Sequence, residues 1–224
     1  MKLSSANINV MVKACRKAAK TLIRDFGEIE KLQVSLKGPG DFVTASDKKV
    51  EKILIDELQK ARPKYSILSE EIGLIKNEEE FKWIIDPIDG TANFLHGIPH
   101  FAISIGLEHN NEIICGIIFT GGPKSTSKDK DLVLEEYKKF SSKLLIPVRK
   151  MGSASLDMAY VAAGRCDGFW QRNLMYWDIA AGIILVKEAG GFVTDFRGNN
   201  EYIENKTILA ANSRINEEMI EILK

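Results

Sequence analysis

The chain is short of several things, and each shortage removes a class of protein. It has only three cysteines in 224 residues, Cys15, Cys115 and Cys166. An odd number set in apolar surroundings argues against a disulfide framework and for reduced, buried thiols, hence a reducing cytoplasm. No apolar run approaches the ~18 residues that a membrane span requires, so no membrane partner is expected. Lys13, Arg16, Lys17 and Lys20 interrupt the N-terminal stretch where a secretory signal would need an apolar core. Net charge is also lacking, because 31 basic residues balance 31 acidic ones, and no overall field favours nucleic acid or an anionic surface. His96, His100 and His109 are the only histidines. None has a paired ligand spacing such as H-E-x-x-H, so a zinc site is not expected and hydrogen-bonded or solvent-facing roles are. There is no fixed-period repeat and no low-complexity linker.

What is present is a 45% hydrophobic chain, enough to bury a full core as one domain over 1–224 or as two intimate halves. Apolar residues from Leu3 to Phe26 recur at helical spacing and stop at Gly27. Residues 34–40, with Gly38-Pro39-Gly40, read as a loop, and Lys37 within it as a solvated side chain. Thr44 can cap a helix running to about Leu58, which places Asp47 in its first turn. Tyr65 to Leu68 reads as a strand with Ser69-Glu70-Glu71 at its end, and Asn77 to Lys82 as a polar connector. Phe101 to Leu107 and Ile113 to Phe119 form an expected hairpin. A helix is expected over Leu132 to Phe140, a short strand over Pro147 to Met151, and small residues then a helix from Gly152. Asp167 to Trp170 reads as a strand. A strong helix starts at Asp178 and ends at Gly190-Gly191, and one further strand with a closing helix covers 208–223. Helices and strands interleave without strict βαβ alternation. Layered α and β segments with mixed or antiparallel sheets follow.

Chemistry concentrates in Trp83-Ile84-Ile85-Asp86-Pro87-Ile88-Asp89-Gly90-Thr91. The β-branched and aromatic start suits a buried strand, and Pro87, which has no N–H to donate, forces a sharp exit. Asp86 and Asp89, three apart across the proline, can converge on one point, where a cation offsets their repulsion; magnesium suits such oxygen ligands. Gly90 permits close backbone approach, and a helical turn from Thr91 would aim N–H groups at an anion such as phosphate. The same residues also suit a plain β-turn in which both acids satisfy local amides. Asp47 as dipole compensation, Glu70 and Glu71 as solvated surface, Gly152 to Ser155 as tight helix packing and Asp178 as a cap are equally available readings.

Together the motifs carry a resemblance. D-P-I-D-G-T-A-N-F at Asp86 to Phe94, W-D-I-A-A-G at Trp177 to Gly182 and E-A-G-G at Glu188 to Gly191 resemble the inositol monophosphatase family. T-A-S-D-K-K-V-E at Thr44 to Glu51, Ser69-Glu70-Glu71 and G-S-A-S-L at Gly152 to Leu156 agree in the same order, over nearly the whole chain. Asn93-Phe94 with His96-Gly97-Ile98-Pro99 look more like inositol phosphatases than like bisphosphate nucleotidases. Gly164-Arg165 and Phe169-Trp170 look like the bacterial branch that includes extragenic suppressor proteins.

The resemblance implies an αβαβα sandwich that hydrolyses a phosphate monoester, most simply inositol 1-phosphate, with two or three Mg²⁺ ions. It implies metal ligation by Glu70, Asp86, the Ile88 carbonyl, Asp89 and Asp178, with Asp47 and Thr91 positioning the attacking water. Phosphate would meet the Gly90 and Thr91 amides, and a phosphorylated polyol would meet Asp89, Gly152, Ser153, Ala154 and Gln171. Residues up to about 120 would then hold metal and phosphate, and those from about 121 would recognise the alcohol. A homodimer is implied, and the suppressor branch adds association with RNA polymerase or RNA, for which composition offers no support. Fructose 1,6-bisphosphate or another sugar or nucleotide phosphate is the alternative substrate. Two features depart from the family pattern. Gln171 stands where the family commonly has Glu, exchanging an acceptor of two hydroxyls for one acceptor oxygen and two donors. After Phe119 the family's hairpin with G-K-G-A-F has no counterpart, and the chain passes to Thr120-Gly121-Gly122-Pro123.

Overall fold

The computed structural model describes residues 2–28, 34–38, 41–78, 80–119, 135–136, 138–140 and 148–224. The first helix, α1 (Lys2–Phe26), buries Met11, Ala14, Cys15, Ala18 and Leu22 along one face, at the spacing expected of an amphipathic helix. Residues 34–40 were expected to be loop, but Val34–Gly38 is a strand, β1, paired antiparallel with β2 (Asp41–Thr44). Pairing with a segment just beyond the glycines makes this strand, which local turn composition does not reveal. Thr44 then caps α2 (Ala45–Ala61). Its hydroxyl accepts the Ser46 N–H at 3.0 Å, and Asp47 reaches back to the Thr44 N–H at 2.8 Å, a reciprocal capping box.

The larger sheet has the order β4-β3-β5-β6-β7. Its strands are β3 (Ser66–Ser69), β4 (Gly73–Ile75), β5 (Phe81–Asp89), β6 (Ala102–His109) and β7 (Glu112–Phe119). Only β3 and β5 run parallel, so the sheet is mixed. Strand β4 was not foreseen, and the start of β5 at Phe81 lies within the expected connector of 77–82. Strand β5 also continues through Pro87 to Asp89, which corrects the expected sharp exit. Asp86 faces Ser104 and Asp89 faces Ala102, three residues against two, so the proline sits at a bulge. The β6–β7 hairpin closes through Asn110 and Asn111, at φ 51° and 63°, the left-handed pair that a tight hairpin turn requires.

A short helix, α3 (Thr91–Leu95), follows β5 directly. In the second half come α4 (Ala154–Ala162), β8 (Gly168–Arg172), α5 (Tyr176–Glu188), β9 (Phe192–Thr194), β10 (Thr207–Ala211) and α6 (Asn216–Leu223). The smaller sheet is antiparallel in the order β8-β10-β9. Strand β9 was not foreseen. Residues 148–151, expected as part of a strand, form none. Residues 135–136 and 138–140 of the helix expected over 132–140 are helical; its other residues, Pro147 and the segment from Thr120 lie outside the described residues.

The layers follow from what each face buries. Helices α1 and α2 cover one face of the large sheet, with Leu54, Leu58, Trp83, Ile85 and Ile105 in the core between. Helices α4 and α5 lie between the two sheets, and Met158, Ile183, Val186 and Ile208 fill the gap to the small one. Helix α6 closes the outer face on Leu209, Ala211 and Phe196. This is the αβαβα sandwich. None of the described helices is long and apolar enough to cross a membrane. All three cysteines are free thiols, and burial pushes Cys15 up to about 12 and Cys115 to about 11, which keeps them protonated and inert.

Candidate active site

The bulge in β5 turns two carboxylates to the same side. Asp86 Oδ1 accepts the Ile88 N–H at 3.0 Å, which folds the chain back over Pro87 and brings Asp89 round beside it. Gly90 then takes φ 106°, a left-handed conformation that strains any residue with a Cβ, and the chain enters α3 at Thr91. Helix α5 supplies a third acid. Asp178 occupies its first turn and accepts the Met175 N–H at 2.7 Å, the contact of a cap. The Ser104 hydroxyl on β6 meets the Trp177 carbonyl at 3.5 Å and holds the start of α5 over the strand that pairs with Asp86.

Asp86, Asp89 and Asp178 each offer an oxygen within 4.8 Å of the other two, with Asp86 and Asp89 buried and Asp178 half-buried. Three carboxylates this close repel strongly, and an oxygen-only set of this kind fits a hard divalent cation.

Asp47 and Thr91 meet beside this cluster. Thr91 Oγ1 lies 3.2 Å from Asp47 Oδ1 and 3.0 Å from the Ile88 carbonyl; its single proton serves one acceptor at a time. Burial raises the Asp47 pKa and the nearby Glu70 charge adds to this, while bonds from the Thr44 hydroxyl and N–H and from Thr91 oppose it. Glu70 follows β3, and its N–H bonds to the Ile85 carbonyl of β5 at 3.3 Å. The parallel β3–β5 pairing thus places Glu70 next to the strand that ends in Asp86 and Asp89.

The N-terminus of α4 closes the other side. Gly152 takes φ 88°, Ser153 caps α4, and Ala154 is its buried first residue. Asp89 Oδ2 accepts the Ser153 hydroxyl at 2.5 Å, the Ser155 N–H at 2.9 Å and the Ser155 hydroxyl. Gln171 lies half-buried on β8 opposite Ile208 and is not part of this chain of contacts.

Three residues here are given no role by the sequence, although Glu51 and Ser155 lie within family-like motifs. Ser155 looks like a small helix-start residue, although it donates twice to Asp89. Glu51, on α2, accepts hydrogen bonds from the segment that bears Glu70. Asp157 stands in the first turn of α4, and burial together with the Asp89 charge pushes it up to about 7, against the pull of Lys150. Their partners are distant in sequence, so no local pattern marks these contacts. The histidines stay outside the carboxylate cluster: His96 is exposed, and His109 stacks on Phe81 at 4.1 Å. His100 is half-buried near Tyr160, with its pKa lowered by burial against the opposing charge of Asp89.

Comparison with known proteins identifies the family and the fold. The model of the inositol monophosphatase family matches residues 5–121 and 120–224. The match breaks where the chain departs from the family pattern after Phe119. The inositol-1-monophosphatase of Rhizobium meliloti (strain 1021) is 44% identical over 257 residues, covering 98% of this chain and 97% of its own. Those aligned positions outnumber the 224 residues present, so the relative carries residues with no counterpart here. The Nus factor SuhB of Escherichia coli (strain K12) is 34% identical over 250 residues, covering 95% and 94% of the two chains. The crystal structure of the extragenic suppressor protein suhB from Bartonella henselae superposes with a TM-score of 0.91 at 42% identity, covering 98% of each chain. The chain belongs to the inositol monophosphatase family, metal-dependent hydrolases of phosphoric monoesters.

Proposed function

We propose that the chain releases phosphate from inositol 1-phosphate using magnesium held by Asp86, Asp89, Asp178, Glu70 and the Ile88 carbonyl. The observation that carries this reading is the convergence of three carboxylates from β5 and α5 within 4.8 Å. The chemistry magnesium supplies when bound, as two or three ions, is offset of phosphate charge and a lowered pKa for water. The protein's own groups do the rest. Thr91 Oγ1 orients the attacking water and accepts its proton, and passes its own to Asp47 Oδ1, whose burial makes it a better acceptor than a solvated carboxylate. The Gly90 and Thr91 amides, at the left-handed entry to α3, bind phosphate oxygens as charge grows on them. Asp89, anchored by Ser153 and Ser155, would serve both the metal and the alcohol, and Gly152, Ser153 and Ala154 would present the start of α4 to the ring.

We treat the chain as one domain in two intimate halves, metal and phosphate held before about residue 120 and the alcohol recognised after it. A cytoplasmic homodimer is the assembly in which we expect it to act. Gln171 favours a second substrate reading, fructose 1,6-bisphosphate or another sugar or nucleotide phosphate, because an amide cannot accept from two vicinal hydroxyls as a carboxylate does. A panel of these esters with inositol 1-phosphate, each with and without Mg²⁺, tests both. Metal-dependent release is expected, greatest for inositol 1-phosphate, with Gln171→Glu shifting the order of preference. A folded protein that releases no phosphate with metal contradicts the proposal. The Nus factor relative motivates a further role beside RNA polymerase or RNA. Full turnover in a protein that captures neither would refute that role.

A further inference from the structure

Glu51 lies on α2 one helical turn beyond Asp47, on the same face, and is 1% exposed. Its Oε1 accepts three donors from the end of β3 and the segment after it: the Ser69 hydroxyl, the Glu71 N–H at 3.0 Å and the Ile72 N–H at 3.2 Å. Successive backbone N–H groups that converge on one oxygen make an anion-holding concavity, and here the anion is a side chain of the protein itself. The three donors flank Glu70 on both sides. Its own N–H is bonded to the Ile85 carbonyl on β5, so the turn is clamped between a helix and a strand. Asp47 and Glu51 leave the same rigid helix, one toward Thr91 and the other toward the turn of Glu70.

We propose that Glu51 is a positioning residue for the reaction: it fixes the turn that presents Glu70 to the carboxylate cluster, and α2 thereby sets the distance between Asp47 and Glu70. This rests on the assignment of Glu70 to magnesium. The position calls for a carboxylate because the concavity offers donors only. A glutamine keeps the shape but turns one of its two polar ends from acceptor to donor and removes the charge that strengthens these bonds.

The test compares the parent, Glu51→Gln and Glu70→Gln by amide hydrogen exchange in chelator and by calorimetric titration with Mg²⁺, alongside phosphate release. For Glu51→Gln the Glu71 and Ile72 amides exchange faster while those of Leu54 and Ile55 on α2 do not. Magnesium affinity falls about tenfold, as for lost support of a metal ligand, and kcat at saturating metal stays close to the parent's. Parent-like magnesium affinity in Glu51→Gln overturns the inference, even where the exchange rates change, because the role is then purely structural. Unchanged affinity in Glu70→Gln overturns the ligand assignment and the inference with it, so the two failures are told apart. Should Glu51→Gln not fold, Ser69→Ala removes one of the three donors and takes its place in the comparison: weaker magnesium binding supports the inference, and parent-like binding overturns it.

Discussion

Asp86 and Asp178 arrive from different elements, and each is within 4.8 Å of Asp89 through a ligand oxygen. Replacing either by Asn keeps size and hydrogen bonding but removes charge, so Asp86→Asn and Asp178→Asn should lose metal-dependent turnover while circular dichroism stays that of the parent; retained activity at saturating Mg²⁺ in both contradicts the ligand roles. Asp157 makes a different prediction. Its pKa rises from 3.8 to about 7 in the fold, so the folded chain keeps a proton that the unfolded chain releases. Stability is then lost as pH rises from about 4 through 7. In metal-free protein Asp157→Asn should gain on the order of a few kcal/mol over the parent at pH 8 and nothing at pH 4, read by urea denaturation in chelator. A constant difference across that range rules out titration of Asp157. These residues also mark what is legible in a sequence. Asp86, Asp89 and Asp178 stand out because each sits at an element end that local pattern locates. Asp47 suits both a cap and a site residue, and its two oxygens are divided, one bonded to the Thr44 N–H and the other to Thr91. Ser155 and Glu51 fall within motifs, but their contacts are hidden because their partners lie 66 and 18 residues away.

At the scale of elements, α5 matters most because it delivers Asp178, and its seat is made of small residues. Gly106 and Gly116 face each other across β6 and β7. A Cβ on Gly116 would stand 2.8 Å from the Ala181 Cα, and one on Gly106 would stand 3.0 Å from the Ala180 Cβ. On the other side of the helix, Gly182 leaves the same kind of room for Met158. Gly116→Ala must therefore push α5 off the sheet, since the atom it meets is backbone. A cost of about 1–3 kcal/mol in stability is expected, with more magnesium needed for half-maximal turnover; a parent-like urea midpoint and metal dependence refute the seating role. The A-A-G of the motif that follows Trp177-Asp178 thus has a packing cause. Periodicity reveals the long helices and the β6–β7 hairpin. It does not reveal β1, β4 or β9, strands of three to five residues that exist through pairing with a neighbour.

For the whole molecule, the sandwich brings the two halves of the chain together at the site: β5 comes from the large sheet, and α4 and α5 from the layer between the sheets. A cation that joins Asp86 and Asp89 to Asp178 binds only when those layers are docked. Magnesium should therefore raise the melting temperature of the parent, by the equivalent of about 2.7 kcal/mol at a hundredfold excess over Kd, and chelator should reverse it. Differential scanning calorimetry should show most of that shift missing in Asp178→Asn; an undiminished shift places the stabilising cation elsewhere. The layer order is legible once the motifs are recognised, since their order along the chain carries the family's architecture. The setting of Gln171 is not, because that residue lies on the small sheet, with α4 and α5 between it and the strand that bears Asp86 and Asp89.

The most direct test is phosphate release from inositol 1-phosphate across a magnesium titration, run side by side on the parent and Asp86→Asn. The account predicts saturable, chelator-sensitive release by the parent and none by the variant at any magnesium concentration. Release by the parent that does not depend on magnesium, or equal release by Asp86→Asn, would contradict it.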